Sequence, residues 1–395
     1  MHALRILQQR LRHACPQIHL KRLTALLTCV VGAVRGQRLT LTELGRALPS
    51  QAQVKHSIKR VDRLLGNVHL GSERFDIYQV IARGLLTGTQ RPVIVVDWSD
   101  LTADRRWQLL RAAIPVGGRT LTLYEEVHPL RHFGNRRVHC AFLRRLKAIL
   151  PPTATPIRVT DAGFKAPWFK ALTRMEWHWI GRVRGQQYVR AEGEKLWGRC
   201  KSLYARANAV AQALGLHEVV RGNRVRCNLY LIKRGKKNRV HKSVFGQPCC
   251  SAHSLKQARA QREPWLLAAS PSLAVLNATE IINIYAQRMQ IEEAFRDLKS
   301  DRYGLGFELH LSRSQQRIAT LLLIASLALL VLWQIGSAAA AHGLHLNYQS
   351  NTRKTRPVLS VINLACVMLR HLSYGSPPRE SVTLQWIFPV ASNTA

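Results

Sequence analysis

Residues 285–299, YAQRMQIEEAFRDLK, carry more information about the fold than any other part of the chain. If they form one helix, with about 100° per residue, the side chains divide into two neighbouring stripes. The apolar stripe consists of Ile284, Ile291, Phe295 and Leu298. The polar stripe consists of Tyr285, Arg288, Glu292, Arg296 and Lys299. Because the polar stripe borders the buried one, its side chains are expected to be half-buried and oriented. A carboxylate among cations suits a metal ligand beside a phosphate. An ordinary solvated face is the alternative.

The composition favours a polyanionic partner. The chain has 59 Lys and Arg residues against 22 Asp and Glu residues, a formal net charge of +37. So large a charge suits nucleic acid or a membrane surface. The basic residues are spread along the whole chain and do not form one tail, which predicts a large contact with nucleic acid.

The length and the cysteines bound the class of protein. A chain of 395 residues, 47% of them hydrophobic, is long enough for two or three domains. The N-terminus does not read as a secretory signal, and the eight cysteines show no C-x-x-C spacing. We therefore expect a cytoplasmic, nucleoid-associated protein with reduced thiols. Residues 320–341 have the length of a membrane span, but we expect a buried core helix and no membrane partner.

Residues 1–90 are expected to form a helical DNA-binding region. Two short helix patterns, residues 41–48 and 54–65, are separated by Pro49-Ser50. In the second, the inward positions are Val54, Ile58, Val61 and Leu65. The basic positions on another face are Lys55, Lys59 and Arg63. Two short helices, the second one basic, suit a helix-turn-helix reader of a DNA groove, and a basic surface on a helical bundle is the alternative.

From residue 91 the pattern changes to a mixed α/β order. The expected elements are a strand over 92–97, a hairpin of 111–116 and 119–124 around Gly117-Gly118, a helix over 138–150, a strand over 156–161, a helix over 166–174 and a strand over 177–183. Residues 91–184 form the first part of this core. Residues 185–275 are expected to be a β-rich insertion, with a strand over 225–232 and a basic loop over 234–239. Residues 276–345 return to the core with the two-striped helix, and 346–395 are a C-terminal region.

Three carboxylates stand out because acidic residues are scarce. Asp97 and Asp161 each close a short apolar strand, and Glu292 lies on the two-striped helix. Two strand ends and a helix can hold such groups at one edge of a sheet, where they can bind two divalent cations about 4 Å apart. Mg²⁺ is the expected metal, because it prefers hard oxygen ligands and shares its shell with phosphate. Taken alone, each aspartate is as easily a strand-end cap or a turn former.

The spacing of the polar stripe resembles a known signature. Tyr285, Arg288, Glu292 and Lys299 have two, three and six residues between them, and this is similar to the YREK signature of bacterial DDE insertion-sequence transposases. The sequences around Asp97 (VDWSD) and Asp161 (TDAGF) are similar to the surroundings of that family's two aspartates. The resemblance is to the IS-ten type within the IS-four family and runs over about residues 19 to 372. It includes Lys55-His56, DRLLGN at 62–67 and Glu263-Pro264-Trp265.

This resemblance implies a fold and an activity. The fold is an RNase H-like core interrupted by a β-rich insertion. The activity is cut-and-paste transposition through a hairpin intermediate, with Asp97, Asp161 and Glu292 binding two Mg²⁺ ions, for which Mn²⁺ can substitute. The partners are the element ends, target DNA and a second copy of the chain in a synaptic complex.

The resemblance also implies roles for the remaining site residues. Tyr285, Arg288 and Lys299 would hold phosphates, and Trp265 would stack on a flipped base. Met289 stands where some relatives have a tryptophan and would wedge between bases. The alternatives are a structure-specific Mg²⁺-dependent nuclease and a DNA-binding relative without catalysis.

Overall fold

The computed structural model describes residues 2–235, 247, 251–252, 263–353 and 356–373. The expected basic loop from residue 236 onward and the C-terminal tail beyond residue 373 lie outside the described residues. The chain begins with five helices: α1 (His2–Ala14), α2 (Leu20–Gly36), α3 (Leu41–Arg46), α4 (Val54–Leu65) and α5 (Val68–Leu85). Short polar side chains begin two of them. Thr40 accepts from the backbone N–H of Glu43, and Asn67 accepts from that of Leu70.

Within the described residues, ten strands form one sheet in the order β3-β2-β1-β4-β5-β10-β9-β8-β6-β7. The strands are β1 (Val93–Asp100), β2 (Trp107–Pro115), β3 (Thr120–Pro129), β4 (Ile157–Thr160), β5 (His178–Val183), β6 (Tyr188–Ala191), β7 (Gly198–Arg199), β8 (Gln212–Val219), β9 (Val225–Ile232) and β10 (Trp265–Ala269). Strands β1, β4 and β5 are parallel neighbours, and the other pairs are antiparallel. The strands of the expected insertion therefore continue the core sheet through β10.

The later helices cover both faces of this sheet. They are α6 (Arg136–Ile149), α7 (Ala166–Arg174), α8 (Ala278–Ala286), α9 (Met289–Lys299), α10 (Gln315–Ala341) and α11 (Val361–Ser373). Arg111 lies opposite Asp97 in the register of β1 and β2, so both side chains point to one face. Phe295 of α9 contacts Arg111 on that face. Trp98 points to the other face and contacts His139 of α6.

The mixed α/β order expected from the sequence is confirmed. Helix α7 and strand β9 have the bounds that the sequence predicts, and the hairpin forms around Gly117 and Gly118, whose φ angles are +74° and +97°. Both angles lie in the left-handed region, where glycine is not strained. Strands β2 and β3 extend beyond the predicted hairpin residues, because their pairing continues to the start of β2.

Helix α10 contains the long apolar segment 320–341. It is long and apolar enough to cross a membrane, and 89% of its most apolar window is buried inside the protein. It packs against α2, α5, α11 and β3. It is surrounded by helices from the N-terminal and C-terminal parts of the chain and by the sheet. This is the packing expected of a core helix.

Three local predictions are wrong. Asp97 does not close its strand, because β1 continues to Asp100 through its pairing with β2. Residues 285–299 are not one helix, because α8 ends at Ala286 and α9 begins at Met289. Around Arg288, backbone bonds of the tighter i to i+3 type replace the α-helical ones, such as Arg288 N–H to Tyr285 O at 3.0 Å. Val54 is exposed and not inward, because it is the first residue of α4 and lies beyond the contact with α3.

Candidate active site

Asp97 and Asp161 lie on neighbouring parallel strands. Val96 is paired with Thr160 in the register of β1 and β4, so Asp97 and Asp161, each one residue further along, lie side by side. The Asp97 carboxylate accepts from the backbone N–H of Trp98 at 2.9 Å. The Asp161 carboxylate accepts from the N–H of Gly163 at 2.8 Å. A Cβ at Gly163 would lie 2.9 Å from an Asp161 oxygen, so any other residue here would displace that carboxylate.

Glu292 reaches the same place from the first turn of α9. The helix breaks at Arg288, and this break turns the Arg288 guanidinium toward Asp97. Arg288 Nη1 donates to Asp97 Oδ2 at 3.2 Å, and Nη2 donates to Glu292 Oε1 at 2.7 Å. The side chains of Arg288 and Asp97 are 12% and 14% exposed, whereas that of Glu292 is 47% exposed. One cation therefore links a buried carboxylate to a solvent-facing one.

The charges of Asp161 and Glu292 both act on the Asp97 carboxylate. Burial and, next in size, the charge of Asp161 raise the pKa of Asp97 to about 7. The Arg288 guanidinium opposes this effect, and Glu292 adds a smaller repulsion. Three acidic groups near a single guanidinium leave an excess of negative charge. Such a site favours the approach of a further cation.

The donor set suits a hard divalent cation. Carboxylate oxygens are the ligands that Mg²⁺ and Mn²⁺ prefer. Among the residues that the structure describes, no three His, Cys, Asp or Glu side chains are grouped closely enough to form a complete metal cluster. Arg288 lies between Asp97 and Glu292 in this arrangement. Asp97 and Asp161 thus form the closer pair, and Glu292 stands across the guanidinium from them.

Tyr285 and Trp265 lie beside the carboxylates on the β10 side. Tyr285 is buried at the end of α8, and its ring meets the ring of Trp265 edge to face at 5.0 Å between centroids. Burial raises the pKa of Tyr285, whereas the nearby charges of Arg288 and Arg182 lower it. The guanidinium of Arg234 lies 4.6 Å from the centroid of the Trp265 ring. Trp265 is half-buried and retains a surface that a ligand can reach.

Met289 and Lys299 lie at the two ends of α9. The Met289 sulfur accepts from Arg288 Nη2 at 3.1 Å, which places the thioether beside the same guanidinium. Lys299 lies on the side of α9 that carries Phe295, 5.9 Å from the centroid of that ring. Burial lowers the pKa of Lys299, and the charges of Glu308 and Asp100 oppose that effect. Met289 therefore lies beside the guanidinium that contacts Asp97 and Glu292, whereas Lys299 is two helical turns away from Glu292.

Lys55, Lys59 and Arg63 are exposed along α4, as the sequence predicts. Lys59 lies 3.5 Å from the Asp62 carboxylate. Helix α4 packs closely on α3, where a Cβ at Gly45 would lie 2.6 Å from the Cα of Ile58. The pair therefore forms a tight helical hairpin with a basic outer face.

The tip of the β2–β3 hairpin supports the back of α9, a contact that no sequence pattern predicts. The backbone N–H of Gly118 donates to Gln290 Oε1 at 2.9 Å. Arg119 forms an ion pair with the buried carboxylate of Asp297. On α9, both Gln290 and Asp297 lie on the side opposite Glu292. The hairpin tip thus fixes the helix from behind while Glu292 faces the aspartates.

A cluster of aromatic rings packs against the two segments that carry Asp97 and Asp161. Trp98 Nε1 donates to His139 Nε2 at 3.0 Å, and Phe164 stacks on the His139 ring at 5.1 Å. Burial lowers the pKa of His139 to about 4, so its ring is neutral and Nε2 accepts. Trp98 follows Asp97, and Phe164 lies three residues after Asp161. His139 therefore links the segments that carry both carboxylates.

Residues 88–331 match the family model described as the transposase DDE domain. This chain belongs to the DDE transposase family. The match spans more than half of the chain and includes the strands, the aspartates and α9. The protein is thus a transposase, an enzyme of DNA transposition and recombination. Enzymes with this domain bind DNA and generally use divalent metal ions.

Among solved structures, this chain is similar to a cryo-EM structure of the piggyBac transposase synaptic complex with hairpin DNA. The sequences are 10% identical, the TM-score is 0.42, and the match covers 91% of this chain and 74% of that chain. At this identity and TM-score, the family assignment rests on the family model. Among curated proteins, no relative matches the chain.

Proposed function

We propose that this transposase mobilises an insertion sequence of the IS-ten type, within the IS-four family, by a cut-and-paste reaction with a hairpin intermediate. The observation that carries the proposal is the link from Asp97 through Arg288 to Glu292, beside Asp161. It joins two residues of the YREK spacing, Arg288 and Glu292, to Asp97. The strand order β3-β2-β1-β4-β5, with three parallel central strands, supports an RNase H-like core.

Asp97, Asp161 and Glu292 would hold the metal. Two Mg²⁺ ions are proposed, with Mn²⁺ as a substitute, and when bound they would activate a water or a 3′-hydroxyl and stabilise the leaving oxygen. The chain's own contribution is the placement of these carboxylates. The pKa of Asp97 is raised to about 7 by burial and by Asp161, so Asp97 is fully ionised only once the local negative charge is compensated.

The cations beside the carboxylates suit the phosphates of the cut strand. Arg288 presents a guanidinium fork, whose two nitrogens can contact one phosphate when they leave the carboxylates. Lys299 would hold a phosphate further along the strand. Tyr285 is buried, so its proposed contribution is to orient Arg288 and to support Trp265.

The half-buried ring of Trp265 suits a flipped base that stabilises a hairpin. Its edge-to-face contact with Tyr285 and its cation–π contact with Arg234 support this role, because an oriented ring loses little freedom when a base stacks on it. Met289 lies beside Arg288 and would contact the neighbouring base. Trp265→Ala is expected to impair hairpin formation more than first-strand nicking, and equal loss of both steps would contradict a base-flipping role.

Binding of the element ends is assigned to α3 and α4. Lys55, Lys59 and Arg63 form the exposed basic face of α4, where they would contact phosphates in or beside a groove. The remaining partners are proposed from the family resemblance: target DNA, a second copy of the chain in a synaptic complex, and the cytoplasmic nucleoid.

The deciding experiment separates this function from its alternatives. Purified protein is incubated with Mg²⁺ and a labelled duplex that carries the flanking element end, and the products are separated on a denaturing gel. A hairpin or strand-transfer product supports a transposase that cuts and joins. Nicks without joined products would indicate a nuclease. Uncut DNA with a shifted band on a native gel would indicate a DNA-binding relative without catalysis.

A further inference from the structure

Residues 130–137, LRHFGNRR, form an ordered loop between β3 and α6, called here the arginine loop. A single 3₁₀ turn spans Leu130–His132. The N–H of Leu130 donates to the carbonyl of Arg106 at 3.0 Å, and the N–H of Phe133 donates to the carbonyl of Leu130 at 2.9 Å. The Asn135 side chain then caps α6, accepting from the N–H of Arg137 at 2.8 Å. The loop therefore presents its side chains from a fixed backbone.

Phe133 projects from this loop beside the strand that carries Asp97. Its side chain is 55% exposed, and its ring lies 5.3 Å from the Trp98 ring between centroids. One side of the ring rests on Trp98, which is itself held by His139. Exposed apolar side chains are common singly. This one differs because it is supported by the half-buried ring of Trp98, on the sheet face opposite to the Asp97 carboxylate.

The surroundings of Phe133 are strongly basic. Arg131, Arg136 and Arg137 are exposed, and their side chains have no ion pair or hydrogen bond to another described residue. Residues 127–160 contain no aspartate or glutamate, so nearby sequence supplies no counter-charge. An aromatic ring between unpaired arginines matches the pattern of a base with a phosphate on each side. The complementary partner is a nucleic-acid strand.

We propose that the arginine loop binds an unpaired base of the DNA strand, with Phe133 stacking on the base and the three arginines neutralising the adjacent phosphates. This inference rests on the proposed function, since it presumes that DNA crosses the carboxylates. In the sheet, β4 and β5 lie between β1 and β10. Phe133 lies on the β1 side, against Trp98 on the sheet face opposite to the Asp97 carboxylate, and Trp265 lies on β10, so the base proposed here is distinct from the one assigned to Trp265.

The test compares two DNAs in the absence of divalent metal, so that no cleavage occurs. One is a blunt duplex, and the other is the same duplex with a short single-stranded tail that carries 2-aminopurine. Stacking on a ring quenches 2-aminopurine fluorescence. Phe133→Leu keeps an apolar side chain but removes the ring. It is expected to weaken binding of the tailed duplex about 5-fold to 100-fold, to abolish the quenching, and to leave blunt-duplex affinity within about twofold.

Matched variants separate stacking from charge. Phe133→Trp is expected to retain the preference for the tail. Arg131→Ala with Arg136→Ala is expected to reduce the salt dependence of tailed-duplex binding by about two phosphate contacts. The control pair is Arg221→Ala with Arg224→Ala, exposed arginines on the turn between β8 and β9, and it is expected to leave the tail preference unchanged.

Several results would overturn the inference. They are a wild-type protein with no preference for the tail, a Phe133→Leu variant with an undiminished preference, and equal weakening on both DNAs. Failure of the proposed function looks different. In that case the wild-type protein, given Mg²⁺ and an element end, makes no joined product whatever the arginine loop binds. A wild-type protein that joins strands while Phe133→Leu binds the tail normally would overturn this inference alone.

Discussion

Arg288 donates to Asp97 at 3.2 Å and to Glu292 at 2.7 Å, so one guanidinium joins strand β1 to helix α9. Asp97 and Arg288 are 191 residues apart in the chain. The contact forms because the helix breaks at Arg288 and turns this side chain toward β1. The guanidinium supplies positive charge where the proposal places a metal ion and a phosphate.

Arg288→Ala is expected to separate metal binding from cleavage. Without the guanidinium, Asp97 and Glu292 lose a competing cation, so Mn²⁺ should bind the DNA-free protein about 10-fold more tightly, or more. Cleavage should fall at least about 10-fold, because the charged contact to phosphate is lost. Quenching of tryptophan fluorescence on Mn²⁺ titration measures the first effect, since Trp98 adjoins Asp97. Arg296→Ala is the control, because Arg296 pairs with Glu293. Unchanged or weaker Mn²⁺ binding in Arg288→Ala would contradict the prediction.

The raised pKa of Asp97 predicts a stability change with pH. The folded state holds the Asp97 proton up to about pH 7, whereas the unfolded state releases it near the ordinary value of 3.8. Asp97 therefore reduces stability as the pH rises from about 4 to 7, and the loss persists above pH 7. Asp97→Asn is expected to raise the free energy of unfolding at pH 8, by roughly 4 kcal/mol at most.

Urea unfolding without divalent metal, at pH 8 and at pH 4, measures this effect. The gain from Asp97→Asn should largely disappear at pH 4, where the folded state keeps the proton and the unfolded state is close to half-protonated. A gain of equal size at the two pH values would show that the carboxylate charge is not its cause.

The contact between Arg119 and Asp297 is expected to position α9. Arg119→Leu leaves the buried Asp297 carboxylate without its partner and should cost about 3–5 kcal/mol of unfolding free energy. Arg119→Leu with Asp297→Leu should recover most of this loss, because the pair is replaced by apolar groups. Single-turnover cleavage should stay reduced in the double variant, since the hairpin tip no longer fixes the helix. Recovery of cleavage together with stability would show that the ion pair contributes only to stability.

The basic face of α4 is expected to contact phosphates. Lys55→Ala with Lys59→Ala should weaken binding of element ends and reduce the slope of log affinity against log salt by about two. Fluorescence anisotropy over a range of salt concentrations measures the slope. Lys195→Ala with Lys201→Ala removes the same charge from an exposed part of the sheet extension and serves as the control. A wild-type slope in the α4 variant would assign end binding to another surface.

Much of the core could be predicted because its signals are local. Apolar runs that end in Asp97 and Asp161 identify parallel strands, and two glycines between alternating patterns identify the hairpin. The spacing of Arg288 and Glu292 indicates that the helix carrying them lies beside these two aspartates. These patterns need only a few consecutive residues.

Other features depend on partners far apart in sequence. No proline or glycine marks the helix break before Met289. The position of the break follows from the packing of α8 and α9 against the sheet. Arg119 and Asp297 are 178 residues apart, and each alone looks like an ordinary surface charge. His139 has no motif, and its role follows only from the rings on either side of it.

The most direct test of the central claim compares two adjacent residues of α9. Glu292 contacts Arg288 beside the aspartates, whereas Glu293 faces Arg119 and Arg296. Glu292→Gln and Glu293→Gln are incubated with a labelled element end and Mg²⁺, and cleaved and joined strands are measured on a denaturing gel. Glu292→Gln is expected to form no product while still binding DNA, and Glu293→Gln is expected to remain active. Cleavage by Glu292→Gln at the wild-type rate would contradict the assignment of this carboxylate to the active site.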